Sequence, residues 1–345
     1  MNKIAILGDP HFGVRGDSLD FHEYFKRYYE EHFFPTLKEL GINLIIQLGD
    51  MFDRRKFINI HTLYLARKYF FDRLVEDGIS MITILGNHDI YFKDTLEVNS
   101  PSLLLQGYPI QVIQEPTTIN LGGREFQFFP WNTYQGNGRG DICIGHFEIS
   151  NFQVSVGNEF KGGLRAEDFS GFNMVLSGHF HHRSSNGNIY YLGTPTENTW
   201  GDYNDLRGFH ILDTTDLSLE FHENPLRMFH KVFYDDTSQD GEYWDSHPYS
   251  QYLGCYVKLV VVNRTNPGMF DRVLTSLEES GLADLKVIEN ASHEYSEEVD
   301  QSEDTMTIVG RYVDTYEAPE TFDKQVLKGF LHKIYNEALS RQGRE

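Results

Sequence analysis

Cysteine is nearly missing from this chain. There are two in 345 residues, Cys143 and Cys255, each inside an apolar stretch. A disulfide framework is therefore excluded as a main source of stability, and two buried thiols in a reducing cytoplasm are the expectation. Long hydrophobic runs are also missing. None approaches the ~20 residues a helix needs to cross a bilayer. The run after Lys3, Ile4-Ala5-Ile6-Leu7, is strand-sized and has no cleavage site behind it, which reads against a secretory signal and for a cytoplasmic location. Basic residues are scarce, 30 Lys and Arg against 51 Asp and Glu, for a net charge of −21. Tight, autonomous, nonspecific nucleic-acid binding needs a positive surface, so this balance argues against it. It leaves open a nucleic-acid substrate, because bound divalent metals would invert the local field and a basic partner would supply affinity. The P-loop and GxGxxG patterns are absent, so neither ATP hydrolysis nor nicotinamide binding is indicated.

What is present is a folded, aromatic-rich chain, 40% hydrophobic with 26 Phe and 20 Tyr. Its first part alternates strands and helices. Residues 3–7 read as a buried strand ending at Gly8-Asp9. Residues 22–40 follow as a helix, with Phe25, Tyr28, Tyr29, His32, Phe33 and Leu37 at helical spacing and Pro35 as a point of kinking. A second strand, 42–48, ends at Gly49-Asp50. A helix from Thr62 to Leu74 leads to a third strand, 79–85, ending at Gly86-Asn87. Sheets of this kind place their sites outside the carboxyl ends of the strands, so Asp9, Asp50 and Asn87 share one rim. From about residue 110 short strands take over, at 110–114, 125–129, 141–145, 173–177, 188–192 and 207–213. They predict a second sheet packed on the first, an α/β layered sandwich flanked by helices over residues 1–225. Residues 226–290 read as a small α+β capping domain, with strands at 231–234, 256–262 and 285–288 and a helix from Pro267 to Glu279. Residues 289–304 carry seven acidic residues and lie in a solvated linker, 291–308. The remainder, 309–345, reads as a C-terminal helical segment. Its stronger helix, Phe322 to Leu339, has a broad apolar stripe suited to docking on another chain.

The strand ends carry the chemistry. Carboxylate, carboxamide and imidazole donors suit hard-to-borderline divalent ions. Asp9, His11 and His181 read as ligands of one ion, Asn87, His146 and His179 as ligands of a second, and Asp50 as the bridge. Two ions roughly 3.5–4 Å apart form a clamp for in-line displacement at phosphorus. Taken singly, each residue is more often a turn, a cap or a satisfied core group. Five such segments in one chain outweigh that bland reading. His88 follows Asn87 and points elsewhere, so it reads as the general acid, imidazole being suited to proton transfer near neutral pH. Asp53 or Asp89 would orient it, or orient a ligand histidine through a carboxylate–imidazole hydrogen bond. Arg54 either touches a phosphate or pairs with a buried carboxylate. His182 reads as surface or substrate-facing, and His22, His32, His61, His222 and His230 as structural or exposed.

The segments Asp9-x-His11, Gly49-Asp50-x-x-Asp53-Arg54, Gly86-Asn87-His88-Asp89, Gly145-His146 and Gly178-His179-x-His181 resemble the signature of the calcineurin-like metallophosphoesterases. Within that superfamily, Gly8-Asp9-Pro10-His11-Phe12-Gly13, Gly49-Asp50-Met51-Phe52-Asp53 and Tyr191-Leu192-Gly193-Thr194-Pro195 resemble the Mre11/SbcD-type nucleases. The compact length, Gly145-His146-Phe147-Glu148 and the run Asp202 to Gly208 look most like the bacteriophage form. The resemblance implies a DNA recombination and repair nuclease. Its catalytic groups would be His88 and Asp53, and its cofactor two divalent ions, foremost Mn2+, with Mg2+, Fe2+ or Zn2+ as alternatives. It implies 3′–5′ exonuclease activity on duplex DNA and endonuclease activity on single strands. It further implies a Rad50/SbcC-like ATPase docked on the C-terminal helix, 322–339. A homodimer would form through helices near 59–75 and 95–106, with Leu63, Ala66, Phe70 and Phe71 as contact residues unless they face the chain's own sheet. Cellular members often carry histidine where Asp53 stands, a departure that touches substrate handling more than metal binding. The rival readings are a stand-alone phosphoesterase for small phosphodiesters or phosphomonoesters, and a noncatalytic scaffold.

Overall fold

The computed structural model describes residues 2–155, 157–289 and 327. Four strands, β1 (Lys3–Leu7), β2 (Leu44–Gln47), β3 (Ser80–Ile84) and β4 (Ile110–Ile113), lie parallel and in chain order. β1, β2 and β3 are nearly continuous apolar runs, as befits strands covered on both faces, while β4 at the sheet edge is only partly buried. The chain then crosses to a second sheet. It comprises β5 (Thr117–Leu121), β6 (Arg124–Phe129), β7 (Gly140–His146), β10 (Phe172–Gly178), β11 (Ser184–Asn186) and β12 (Ile189–Tyr191), with a small hairpin, β8 (Gln153–Ser155) and β9 (Asn158–Glu159), between β7 and β10. β13 (Gly208–Asp213) and β14 (Ser218–Glu223) return antiparallel to the first sheet, giving the order β14-β13-β1-β2-β3-β4. The second sheet runs β11-β12-β10-β7-β6-β5.

The two six-stranded sheets face each other. Ile4, Ile6, Ile46, Ile82 and Ile84 of the first interleave with Phe126, Phe128, Ile142, Ile144 and Leu176 of the second. The expected α/β sandwich is therefore present. The outer face of the first sheet is covered by two helices. One runs from Leu19 to Glu39 and contains a wide π turn at Tyr29–Phe33. That turn pairs the Phe34 amide with the Tyr29 carbonyl. The bulge lies directly before Pro35, whose missing N–H and bulky ring a regular helix accommodates poorly, and the helix continues instead of breaking. The other helix, Ile60–Glu76, carries a similar π turn at Arg67–Phe71. Phe12, in the loop after β1, is inserted among Phe25, Tyr29, Phe52, Tyr69, Phe70 and Phe71 at centroid separations of 5.4–6.2 Å. The aromatic richness of the sequence thus anchors the loop that bears Asp9 and His11.

This packing corrects one expectation. Ala66, Phe70 and Phe71 are fully buried in the chain's own core, and Leu63 packs against that core. Ala66, Phe70 and Phe71 are thus not placed to meet a second subunit, while Leu63 is half-buried. The exposed apolar residues of this region are Phe57, Ile60 and Tyr64, together with Leu103 on the short helix Ser100–Leu104.

Residues 229–288 build a three-stranded parallel sheet, β15 (Phe229–Asp235), β16 (Tyr256–Asn263) and β17 (Asp284–Ile288), with the helix Pro267–Glu279 packed on it. Asn266 caps that helix by accepting from the Met269 amide, and Pro267 occupies its first turn. This sheet has a core of its own around Tyr234, Trp244, Leu259 and Phe270. Phe229 and Tyr256 also meet Phe21 and Trp200, so residues 1–289 form one compact unit. The linker 291–308, a helix at 309–316 and the helix 322–339 lie outside the described residues, apart from Leu327, which is helical. Among the described residues no helix is long and apolar enough to cross a membrane. Both cysteines are free and buried.

Candidate metal centre

Backbone shape brings the loops together. His11, Asp50 and His179 all hold positive φ, at 48°, 53° and 87°. Left-handed backbone at three non-glycine residues of one rim is strain retained where geometry is being imposed. The first two loops are zipped by His11 N–H to the Asp50 carbonyl at 3.1 Å and Phe12 N–H to Met51 at 3.0 Å. Gly49 also has positive φ, and a β-carbon there would collide with His146 Nδ1 and the backbone of Gly86. Asp89 is the staple. Its buried carboxylate accepts from the amides of Asp50 (2.8 Å), Met51 (2.9 Å) and Gly86 (2.8 Å), joining the ends of β2 and β3.

The seven expected ligand residues converge. His11 Nε2 and His181 Nε2 are 3.0 Å apart. Asn87 Oδ1 lies 3.0 Å from both His146 Nε2 and His179 Nδ1. Asp50 Oδ2 sits between the two groups, 3.8 Å from His11 Nε2 and 3.3 Å from His146 Nε2. Asp9 Oδ2 accepts from the His179 amide at 2.8 Å, while Asp9 Oδ1 is buried with no hydrogen-bond partner. Asp9, His11 and His181 form one cluster able to hold a metal ion, and Asp50, His146 and His179 form another.

The donor set fits two divalent cations. A buried carboxylate oxygen without a partner is costly unless a cation takes it. The imidazoles are turned for that task by their far nitrogens. His146 Nδ1 donates to the Leu48 carbonyl at 2.7 Å, and His179 Nε2 meets Glu148 Oε1 at 3.2 Å. Such outer hydrogen bonds fix the tautomer and ring plane of a metal-binding histidine. Electrostatics point the same way. Burial, with the neighbouring His88, holds His11 down at about 3, and burial holds His181 well below the usual histidine range, so both are neutral donors. Burial drives Asp9 well above the usual carboxylate range. Burial alone would raise Asp50 too, but His146, His88 and His11 hold it well below. Burial would lower His146, yet Asp50 and Asp9 push it up to about 10. Without a cation, the proton on His146 is the positive charge these carboxylates demand.

His88 lies beside this cluster. Its amide donates to Asp50 Oδ1 at 2.7 Å, and its ring stands edge-on to His11 with centroids 5.0 Å apart. Its Nδ1 is bonded to the backbone carbonyl of Asp53. Neither the Asp53 carboxylate nor Asp89 orients it. The Asp53 carboxylate instead lies 3.7 Å from His11 Nδ1 and is raised by burial, while Asp89, raised to about 7 by burial and by Asp50, is committed to the staple. Arg54 pairs with the largely buried Asp17 at 3.4 Å. His182 Nδ1 bonds Asp205 Oδ2 at 2.8 Å. His22 is buried between Tyr69 and Thr62.

Sequence reasoning missed three supports. Glu148 restrains His179. Arg207 is buried, binds Asp202 (2.7 Å), Asp205 and Thr194 Oγ1 (both 2.8 Å), and also donates to the His181 carbonyl, bracing that ligand's loop. Trp131 flanks His179 and His146 with ring centroids at 5.0 and 5.7 Å. The only signal for Glu148 was its place two residues beyond His146. Arg207 and Trp131 carried none in spacing.

Residues 2–183 match the family model of the calcineurin-like phosphoesterases, and the chain belongs to that family. It is 29% identical over 350 residues to "Exonuclease subunit 1" of Enterobacteria phage T4, an alignment covering 97% of this chain and 99% of that protein. This is the bacteriophage form of the Mre11/SbcD-type nucleases that the motifs resemble. Among solved structures, "GAP50 the anchor in the inner membrane complex of Plasmodium" aligns with 66% of this chain and 90% of its own, at 12% identity and a TM-score of 0.36, a likeness on which no argument rests.

Proposed function

We propose that this chain is the nuclease subunit of an Mre11–Rad50-type complex that processes DNA ends for recombination and repair. The observation that carries the reading is the length of the phage match, 97% of the chain. It runs far past residue 183, where the phosphoesterase model ends, through segments with no part in metal binding. The match supports a reading in which residues 226–290 serve as a cap and 309–345 as the segment that docks on a Rad50/SbcC-like ATPase. That partner supplies the DNA affinity which a net charge of −21 denies the chain alone.

In this reading Asp9, His11 and His181 hold one divalent ion, Asn87, His146 and His179 the other, and Asp50 both. Mn2+ is the foremost choice. When bound, the ions supply Lewis-acid stabilisation of phosphoryl charge and acidify a nucleophilic water. The chain's own work is positional. Asp89 and Arg207 hold the ligand loops, and Glu148 and the Leu48 carbonyl keep two imidazoles turned inward. His88, its Nδ1 fixed by the Asp53 carbonyl, offers Nε2 to protonate the leaving oxygen. Exonuclease action on duplex 3′ ends and endonuclease action on single strands follow from the resemblance, as does work in the cytoplasm of a phage-infected host. Exposed Ile60 and Tyr64, one helical turn apart, and Leu103 supply an apolar surface for homodimer formation.

The test is Mn2+-dependent cleavage of end-labelled duplex DNA, with and without the Rad50-like ATPase and ATP. Cleavage that requires Mn2+ and responds to the ATPase establishes the subunit. Hydrolysis of a small phosphodiester with no DNA cleavage in either condition moves the function to a stand-alone phosphoesterase.

A further inference from the structure

Beside the metal centre lies a cavity of about 200 Å3, lined by Trp131, Asn132, Tyr134, His146, Phe147, Glu148, Gly163 and Leu164. Its walls are three aromatic rings, a carboxamide, one of the candidate metal ligands and a carboxylate. Among the described residues no lysine or arginine lines it. The carboxylate on its wall, Glu148, disfavours a free phosphate there. A flat uncharged ring would meet aromatic faces and a carboxamide able to bond its edge. The volume is below the roughly 300–1,000 Å3 of pockets for drug-sized ligands, which suits one ring system better than a whole nucleotide.

The pocket is also rigidly built. The Trp131 amide donates to the Leu85 carbonyl at 2.7 Å, tying the indole to the end of β3 just before Gly86-Asn87. Tyr134 fixes the other side of the loop. Its hydroxyl donates to the Asp168 carbonyl at 2.6 Å, and its ring stacks on Phe169 at 4.7 Å and 17°. Between them, exposed Asn132 holds a left-handed backbone with φ 60°, strain of the kind retained at ligand clamps. Trp131 itself remains half-exposed. Nothing in holding the sheets together requires a tied-down, half-exposed indole 5.0 Å from a candidate ligand histidine.

We propose that this cavity is a nucleobase subsite, in which Trp131 stacks on a base adjoining the scissile phosphate and Asn132 contacts its edge. The proposal rests on the nuclease reading and adds to it where one base of the substrate goes. Stacking on any base is sequence-tolerant, because every base has a π face, so the subsite positions the strand without selecting a sequence.

The experiment uses the full chain with Mn2+, as wild type, Trp131→Ala and Trp131→Phe. The substrates are an oligonucleotide and the same oligonucleotide with one abasic nucleotide stepped through the positions flanking the cleaved bond. In wild type one abasic position should slow cleavage by about 5- to 100-fold, the range of one base–aromatic contact. Trp131→Ala should slow the intact substrate by a similar factor and lose all discrimination against the abasic one, while Trp131→Phe restores most of it. A second readout, quenching of indole fluorescence by intact but not abasic oligonucleotide, should vanish in Trp131→Ala. Equal losses on both substrates would show that Trp131 merely supports His146 and His179, and would overturn the subsite while leaving the nuclease intact. A wild-type chain that cleaves neither substrate, with or without the Rad50-like ATPase and ATP, overturns both readings.

Discussion

At the scale of single residues, two substitutions separate holding the cluster from using it. His88 gives its amide to Asp50 and its Nδ1 to the Asp53 carbonyl, but its side chain carries no part of the ligand loops. His88→Ala should therefore retain both divalent ions, counted by elemental analysis of the purified protein, and lose cleavage by about 10²- to 10⁴-fold, the usual range for a general acid. Asp50 is different, because its Oδ2 faces both histidine groups. Asp50→Ala should weaken Mn2+ binding at both positions in a calorimetric titration, and one undisturbed high-affinity ion would sink the bridging assignment. The residues facing the centre were legible because each is polar and follows a hydrophobic strand through a short glycine-containing turn. What that pattern could not convey is which atom does what. Asp53 touches His88 through its carbonyl, and Asp89 spends its carboxylate on three amides. Both are backbone contacts, and residue type carries little trace of them.

At the scale of elements, the buried strands of the first sheet were readable and the edge strands β5 and β14 were not. β1, β2 and β3 are continuous apolar runs, whereas β5 and β14 alternate half-buried and exposed residues and read as loop. The π turns were also invisible, since the same aromatic spacing serves a regular helix. One junction between elements has a measurable charge. Glu197, in the loop before β13, is fully buried and accepts from the amides of Met228 and Phe229 at 2.6 and 3.0 Å, fastening the start of β15. Burial raises it to about 7 in spite of those bonds and of Arg227, whose Nε lies 3.9 Å away. The folded state thus holds a proton that the unfolded chain has released, so this group's contribution is greatest below pH 4.5 and declines as pH rises through about 7. Glu197→Gln keeps an oxygen for the two amides and removes the charge. In EDTA, so that metal binding does not enter, its melting temperature should exceed wild type at pH 8, by the equivalent of at most about 3 kcal/mol, and the gain should vanish near pH 4.5. A gain independent of pH would show that Glu197 is not the titrating group.

At the scale of the whole molecule, the charge balance and the exposed apolar surface pose one problem. An acidic chain must engage an acidic polymer, and the surface near Ile60, Tyr64 and Leu103 is uncovered in a single subunit, with Ile60 84% and Leu103 63% exposed. The sequence offered Ala66, Phe70 and Phe71 as contact residues and the structure buries them in the chain's own core, because helical spacing cannot say which of two apolar faces meets the sheet. Phe70 and Phe71, the larger groups, went to the core. If the outer face pairs two copies, Ile60→Asp should convert a dimer to a monomer in sedimentation, since a buried unpaired carboxylate is strongly unfavourable. Phe70→Ala should instead lower stability by about 3–5 kcal/mol as a core cavity. The tail poses a separate question. Deleting residues 322–345 should leave Mn2+ binding and subunit pairing unchanged while abolishing capture of the Rad50-like ATPase, because neither the candidate ligand residues nor Ile60, Tyr64 and Leu103 lie in that segment. The ATPase-stimulated part of duplex cleavage should fall to the level of the isolated chain, and any residual single-strand cleavage should persist. Stimulation surviving in the truncated chain would place the ATPase contact on the described surface between residues 2 and 289, and the acidic nuclease would then be recruited through its folded body.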